Sequence, residues 1–285
     1  MKSSLAETRR RSRKSLSRVA RLLSHHNGRL AHVVRSIADY YRLKTASRLW
    51  QSLNVQLPNG LKIALPKCYI RSYLGSFDDV YVHREYDLLH DYRPSINDVV
   101  FDVGASMGLY TLECSRLVGK KGKIYAVEAL PSFYDILLNN IRINGVDNVV
   151  PINVAVGAFE GTSHVYLDAL LPSRSSTHSR HVEALSSVKH KIETKLTTLD
   201  TLISQHGVHN IDLLKIDVEG AELDVLKGNI NALNEGIVDR MIVEMHETCV
   251  NLKDMTEFLQ ERSYLVDGVF ASDYLKKIVY AKFRR

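Results

Sequence analysis

Short apolar runs rich in β-branched residues alternate with helical stretches over residues 98–283. The predicted strands are Asp98–Val103, Lys123–Val127, Val149–Val156, Ile211–Ile216, Val238–Met245, Tyr264–Phe270 and Ile278–Phe283. The predicted helices follow the first strand up to Val118 and span Pro131–Asn144, Glu222–Lys227 and Lys253–Arg262. Strands that alternate with helices of this length favour an α/β fold with a parallel sheet covered on both faces. Such sheets bind ligands beyond the carboxyl ends of their strands.

Two segments depart from this alternation. Asn54–Leu65 contains the turn-forming sequence Pro58-Asn59-Gly60 and predicts a hairpin that leads into the domain. Asp168–His190 is rich in serine, histidine and arginine, and we expect a long loop or lid there. Loops of this length are usually functional or disordered, so this segment is our candidate for substrate recognition.

Charge divides the sequence into a basic arm and an acidic body. Residues 1–50 carry 13 Lys or Arg against two acidic residues, a net charge of +11. Residues 51–285 carry −5, although the whole chain carries +6. We therefore predict three parts: a basic, helical extension over 1–50, a lead-in hairpin and helix over 51–97, and a ligand-binding domain over 98–285.

Three interpretations of the basic arm remain open. In the first, the arm packs a helix on the body; in the second, it attaches the protein to an anionic membrane or lipid-linked substrate; in the third, it binds RNA. The three cysteines are odd in number and far apart, and the sequence has neither a signal-peptide pattern nor an apolar run of about 18 residues. We expect a cytoplasmic protein, with membrane association only through residues 1–50.

A glycine turn follows the first predicted strand. Its sequence is Asp102-Val-Gly104-Ala-Ser106-Met-Gly108, and a helix begins directly after it. A helix start after such a turn lets a ligand approach the backbone closely. The spacing differs from the G-x-G-x-x-G of dinucleotide-binding proteins, which disfavours a dehydrogenase. A carboxylate inside the turn repels phosphate and suits a cationic ligand such as S-adenosylmethionine.

Glu128 ends the second predicted strand, 24 residues after Gly104. A carboxylate at this position can accept hydrogen bonds from both ribose hydroxyls of a nucleoside. Hydrogen bonds to a charged group contribute about 1.5–3 kcal/mol, which makes Glu128 a candidate anchor of the cofactor.

These residues belong to a longer stretch that resembles the FkbM family of class I S-adenosylmethionine-dependent methyltransferases. The resemblance covers about residues 80–250 and rests on four segments: VVFDVGASMGLYTLECSRLVGKKGKIYAVEALPSFYDILLNNIRINGVDNVVPINVAVG, TKLTTLDTLI, IDLLKIDVEGAELDVLKG and IVEMHE. Two positions depart from the family pattern. Ser106 stands where many members have Asn, and Ala129 where many have Pro.

The resemblance implies a Rossmann-like sheet of seven strands whose last strand, here Ile278–Phe283, runs antiparallel. It also implies O-methylation of a hydroxyl on a sugar, glycolipid or related small molecule. The cofactor-binding residues implied by position are Asp102, Gly104, Ser106 and Gly108 in the turn, Glu128 at the ribose, and Ala155 beside the adenine.

The candidate catalytic residues are Asp217 and Glu219 of KIDVEGAE and His246 of IVEMHE, which follow two predicted strands. Each could remove the proton from an acceptor hydroxyl. Alternation along the strand puts Lys215 and Asp217 on one face, where an ion pair is the simplest expectation. A divalent metal held by Asp217, Glu219 and Glu244 is an alternative, but our prediction is a site without metal.

Two other functions compete with O-methylation. A nucleic-acid methyltransferase would explain the basic arm, but the sequence has no Asn/Asp-Pro-Pro-Tyr segment for a flipped base, and the body is acidic. A non-catalytic module that only binds the nucleoside would keep the turn and Glu128 without an acceptor site. We expect a small-molecule or glycan hydroxyl as the acceptor and no nucleic-acid substrate.

Overall fold

The computed structural model describes residues 52–168, 171–185, 188–271 and 276–284. The predicted basic extension over 1–50 lies outside these ranges. The chain divides into two compact units, Met1–Arg84 and Glu85–Arg285. The second unit therefore begins earlier than the predicted boundary at residue 98. The reason is that residues 85–97 are anchored to the sheet: the Tyr280 hydroxyl donates to Glu85 O, and Tyr92 donates to Asp267.

The first unit contains the predicted hairpin. Strands β1 (Ser52–Gln56) and β2 (Lys62–Pro66) pair antiparallel. The Asn59 side chain stabilises the turn between them, because its Oδ1 accepts a hydrogen bond from Leu61 N at 2.9 Å. A helix, α1 (Ile70–Phe77), follows.

The second unit is built on a sheet of seven strands. They are β3 (Val99–Val103), β4 (Lys123–Val127), β5 (Val149–Ile152), β9 (Ile211–Ile216), β10 (Val238–His246), β11 (Tyr264–Ala271) and β12 (Lys276–Phe283). Their order is β11-β12-β10-β9-β3-β4-β5, and β12 is antiparallel to both of its neighbours. This confirms the predicted sheet, including its antiparallel last strand.

Helices cover both faces of this sheet. They are α2 (Leu109–Val118), α3 (Pro131–Ile143), α5 (Leu199–Gln205), α6 (Glu222–Lys227), α7 (Ile230–Asn234) and α8 (Leu252–Gln260). Phe101 and Val103 belong to a core with Leu202 and Leu259 of α5 and α8. Val100 is also fully buried and points to the opposite face, where α2 packs on β3 and β4. Within the described ranges, no helix is long and apolar enough to cross a membrane.

A second, three-stranded sheet contains the largest differences from the predicted elements. It consists of β6 (Ala155–Val156), β7 (Gly161–Asp168) and β8 (Val188–Thr197) in the order β6-β8-β7. The predicted strand Val149–Val156 is therefore two strands, because the chain leaves the main sheet after Ile152. The predicted long loop Asp168–His190 was wrong in part: it includes helix α4 (Ser179–Leu185) and the start of β8.

Candidate active site

Gly104 brings the first turn against the end of β9. Its backbone is left-handed, with φ +82°, and an added Cβ would lie 1.7 Å from the carbonyl oxygen of Asp217. Asp217 N in turn donates to Val103 O at 2.9 Å. The glycine is therefore required by the contact between two strand ends, and that contact places the turn beside the candidate catalytic residues.

Glu128 holds the turn through its carboxylate. Its two oxygens accept hydrogen bonds from Ser106 N and Leu130 N, each at 2.7 Å. Burial raises the pKa of Glu128 to about 7, although both backbone hydrogen bonds lower it. Ser106 lies in the left-handed region with φ +52°, and among the described residues nothing hydrogen-bonds to its buried Oγ. Two polar side chains with remaining hydrogen-bonding capacity thus lie together at the predicted cofactor turn.

Asp102 does not lie open to solvent but is completely buried. Its carboxylate accepts a hydrogen bond from Thr111 Oγ1 at 2.6 Å and lies 3.2 Å from Lys215 Nζ. Lys215 also donates to Gly104 O at 3.0 Å. Burial alone would lower the pKa of Lys215, but Asp102 and Asp217 raise it above its usual value. The charge of Asp102 is therefore balanced inside the protein, and Lys215 fixes the turn.

The two remaining cofactor candidates occupy structural positions. Gly108 immediately precedes α2 in a left-handed conformation with φ +91°. Ala155 is buried in β6, where it pairs with Leu196. Between β5 and β6, Asn153 donates to Glu128 O at 2.8 Å, which links the predicted adenine side of the site to the predicted ribose side.

Asp217 lies just beyond β9 with one carboxylate oxygen engaged and the other unpaired. Lys215 Nζ lies 3.5 Å from Oδ2, which confirms the expected ion pair. The Tyr86 hydroxyl lies 3.3 Å from Oδ2 and 2.6 Å from Glu244 Oε2. Oδ1 is buried, and no described residue donates to it. Burial and the neighbouring Glu244 raise the pKa of Asp217 to about 7.

Glu244 is bound on several sides. Lys276 Nζ of β12 lies 2.7 Å from its Oε1, and His246 Nε2 lies 3.8 Å from the same oxygen. Burial would raise the pKa of Glu244, but Lys276 and His246 lower it below its usual value. Lys276 and Tyr86 were not among the predicted site residues. The sequence does not show that β12 and the segment before β3 reach the end of β10.

Glu219 and His246 form a buried cluster with His181. Glu219 Oε2 lies 2.9 Å from His181 Nε2 and 3.1 Å from His246 Nε2. Burial alone would lower the pKa of His246, but Glu219 and Glu222 raise it well above its usual value. The charged imidazolium has no lone pair, so this arrangement does not favour His246 as a proton acceptor. His181 comes from α4, inside the segment that we predicted to be a substrate-recognition loop.

The family model and the similar proteins of known name agree on the class. The Methyltransferase FkbM domain matches residues 102–266. Hexuronic acid methyltransferase AglP of Haloferax volcanii is 31% identical over 58% of this chain and 62% of its own length. The 31-O-demethyl-FK506 methyltransferase FkbM of Streptomyces tacrolimicus is 25% identical over 79% of this chain and 95% of its own length. A crystal structure of methyltransferase FkbM from Methylobacillus flagellatus KT aligns with 88% of this chain and 60% of its own, at 15% identity and a TM-score of 0.48.

A mostly parallel sheet with one antiparallel strand, and a glycine turn held by an acidic residue of the next strand, define an S-adenosylmethionine-dependent methyltransferase of class I. The matched domain, residues 102–266, spans more than half of the chain. The chain belongs to the FkbM methyltransferase family. The resemblance noted in the sequence is confirmed.

Proposed function

We propose that this protein transfers a methyl group from S-adenosylmethionine to a hydroxyl of a sugar, a glycolipid or a related small molecule. The relative from Haloferax volcanii is named for a hexuronic acid and the relative from Streptomyces tacrolimicus for 31-O-demethyl-FK506. The observation that carries the proposal is the buried Oδ1 of Asp217, to which no described residue donates. This oxygen is a proton acceptor at the carboxyl end of β9, directly beside the cofactor turn.

The residues of the turn fit the cofactor. Glu128 uses one lone pair of each oxygen for the backbone, and each oxygen keeps a second for a ribose hydroxyl. The unpaired Oγ of Ser106 lies in the same turn. In our proposal Gly104, Ser106 and Gly108 surround the methionine part, and Ala155 borders the adenine. Asp102 is buried beneath the turn and supports it through Lys215. When bound, S-adenosylmethionine supplies an electrophilic methyl group on its sulfonium.

Asp217 acts as the general base in this proposal. Its Oδ1 takes the proton of the acceptor hydroxyl, which leaves the acceptor oxygen as the nucleophile. Lys215 and Tyr86 hold the other oxygen, Oδ2, so that Oδ1 keeps one direction. Glu219 and His246 lie on the same side of the sheet end and position the acceptor.

The segment between β7 and β8 contributes to the acceptor side. Its helix α4 brings His181 within 2.9 Å of Glu219. We therefore keep this segment as the acceptor-recognition element, although it contains a helix. We also propose that the basic arm, residues 1–50, attaches the protein to an anionic membrane surface. These residues lie outside the part of the chain that the structure describes.

The replacement Asp217→Asn tests the proposed base. Amide and carboxylate have the same shape, but the amide does not accept a proton, so we expect kcat to fall by about 10²–10⁴-fold. The measurement is methyl transfer from labelled S-adenosylmethionine to glycans that contain hexuronic acid. The matched control is Asp147→Asn, an exposed position.

Calorimetry with S-adenosylhomocysteine must show unchanged cofactor affinity in both variants. Full turnover by Asp217→Asn would refute the assigned base. Methylation of RNA instead of any glycan or lipid fraction would refute the proposed acceptor class.

A further inference from the structure

Three ligand atoms converge in the buried cluster of His181, Glu219 and His246. Both histidines direct Nε2 to the same oxygen, Glu219 Oε2, at 2.9 and 3.1 Å. The two rings meet edge to face with centroids 4.9 Å apart. The side chains are only 2%, 18% and 8% exposed, so bulk water does not satisfy these atoms.

The other nitrogen of each ring is held by a second residue. His181 Nδ1 lies 2.7 Å from Thr248 Oγ1, and His246 Nδ1 lies 2.8 Å from Glu222 Oε1. A carboxylate only accepts hydrogen bonds, so Nδ1 of His246 carries a proton. The Thr248 hydroxyl donates towards Cys249 Sγ, which leaves its lone pairs for the Nδ1–H of His181. With each Nδ1 engaged in this way, Nε2 is the ring nitrogen that faces Glu219, and a metal ion can replace the proton on it.

The three ligand atoms lie within 4.8 Å of one another, close enough to bind one ion. A divalent cation there would replace the protons that the two Nε2 atoms share with Glu219. The nearby carboxylates of Glu222 and Glu244 add further negative charge. Bonds of about 2.0–2.2 Å to one ion place neighbouring ligand atoms about 2.9–3.5 Å apart. The two distances to Glu219 Oε2, 2.9 and 3.1 Å, lie in that range.

Histidines that bind metals usually donate their other ring N–H to an acceptor such as a carboxylate. Both histidines of this cluster have such a partner at Nδ1. A second trio, Asp217, Glu244 and His246, has its ligand atoms within 4.8 Å of one another. Lys276 Nζ already binds Glu244 there at 2.7 Å, and that ammonium group competes with a cation. The first trio is therefore the better site.

We propose that His181, Glu219 and His246 bind a divalent first-row transition-metal ion of the zinc type, with at least one coordination position open. This proposal departs from the sequence prediction of a site without metal, and its ligands differ from the alternative set of Asp217, Glu219 and Glu244. Two imidazoles and one carboxylate suit such ions better than Mg²⁺ or Ca²⁺, which prefer oxygen ligands.

The catalytic consequence rests on the proposed function. An acceptor hydroxyl bound at the open position would lose its proton more easily, and Asp217 would receive it. Metal binding itself does not depend on that role, and it is measured without cofactor and without acceptor.

The experiment uses the full chain, stripped with a chelator and titrated with Co²⁺, whose visible d–d absorption reports ligand geometry; Zn²⁺ then competes. For the wild type we expect about one Co²⁺ per chain, displaced by Zn²⁺. His181→Ala removes a ligand and should weaken Co²⁺ binding by about 100-fold or more. Thr248→Ala keeps all three ligands and removes only the hydroxyl at His181 Nδ1, so it should weaken binding by about 10–100-fold.

His178→Ala is the matched control. His178 lies in the same segment and pairs with the carboxylate of Asp224 at 3.0 Å. It does not belong to a described group of three metal-binding side chains. Its Co²⁺ affinity should equal that of the wild type. Absence of a saturable Co²⁺ spectrum in the wild type, or an unchanged spectrum in His181→Ala and Thr248→Ala, would overturn the metal site.

The two proposals fail separately. A wild-type protein that binds Co²⁺ but methylates no glycan or lipid keeps the metal site and loses the proposed function. A protein that methylates a glycan and binds no Co²⁺ or Zn²⁺ keeps the function and loses the metal site.

Discussion

At Gly104 the backbone of the cofactor turn passes so close to Asp217 that no side chain fits. Gly145 offers a matched comparison, because its backbone is also left-handed, with φ +59°, and an added Cβ would meet no described atom within 4 Å. Gly145→Ala should therefore cost only the backbone strain, about 1–2 kcal/mol of unfolding free energy. Gly104→Ala should cost about 4 kcal/mol or more.

Urea unfolding measures the free energy of unfolding of both variants. Calorimetry with S-adenosylhomocysteine measures the ligand affinity of the turn. Gly104→Ala should also lose cofactor affinity, whereas Gly145→Ala should keep it. Equal destabilisation by the two substitutions would contradict the close contact between the turn and the end of β9.

Glu128 makes cofactor binding dependent on pH. Its pKa of about 7 in the folded protein lies above the ordinary value of 4.5, because burial disfavours the charge. Folding is therefore penalised increasingly as pH rises from about 4.5 to about 7, and the penalty is constant above that. Ribose hydroxyls donate to the charged form, so cofactor affinity should follow the opposite trend and increase over pH 6–8.

We expect the affinity for S-adenosylhomocysteine to fall about tenfold from pH 8 to pH 6, as the charged fraction of Glu128 falls. Calorimetry at several pH values measures it. Glu128→Gln should bind more weakly at pH 8 and show a flat profile. A wild-type affinity independent of pH would show that the carboxylate does not contact the nucleoside.

Individual site residues could be predicted from the sequence when they lie at the carboxyl end of a predicted strand. Asp217, Glu219, His246 and Glu128 all lie at carboxyl ends of strands, and the structure brings the first three close together. His181 was not predictable as their partner, because the contact joins positions 38 residues apart through a helix that only the folded chain reveals. Tyr86 and Lys276 were missed for the same reason.

At the scale of elements, the central strands β3, β4 and β9 were predicted because they are nearly continuous apolar runs buried on both faces. Strands β7 and β8 were missed because their sequences, GTSHVYLD and VKHKIETKLT, hold few apolar residues. In β7 only Val165 and Asp168 are buried, so a surface strand of this kind gives almost no hydrophobic pattern.

The segment between these strands should determine acceptor preference. We would replace Ser173–His178 by a Gly-Ser linker of equal length, which leaves helix α4 and His181 in the chain. The expected result is a higher KM and a changed preference among glycan and small-molecule acceptors. Cofactor affinity should stay within about twofold, because the cofactor turn lies on β3 and β4. Loss of cofactor binding would contradict the assignment.

At the scale of the whole molecule, the basic residues are concentrated in the arm, away from the acidic body. The body, residues 51–285, carries −5 and the arm +11. Replacing Arg9, Arg10, Arg11 and Arg13 by Gln in the full chain should weaken binding to phosphatidylserine vesicles. Each basic residue near such a surface contributes about 1 kcal/mol. Methylation of a soluble acceptor should not change.

Vesicle sedimentation at two salt concentrations measures this effect. Unchanged sedimentation would show that the arm does not attach the protein to membranes. Binding to RNA that is lost in the same variant would assign the arm to nucleic acid instead.

Strand β12 lies between β10 and β11, although it follows both along the chain. During synthesis on a ribosome, β11 therefore emerges before the only strand with which it pairs in the described sheet. Lys276, the first residue of β12, also brings the ammonium group that neutralises Glu244. A nascent chain that stops short of this strand leaves the edge of β10 open and lacks the ammonium group nearest to Glu244, so we expect activity only after translation has passed Lys276.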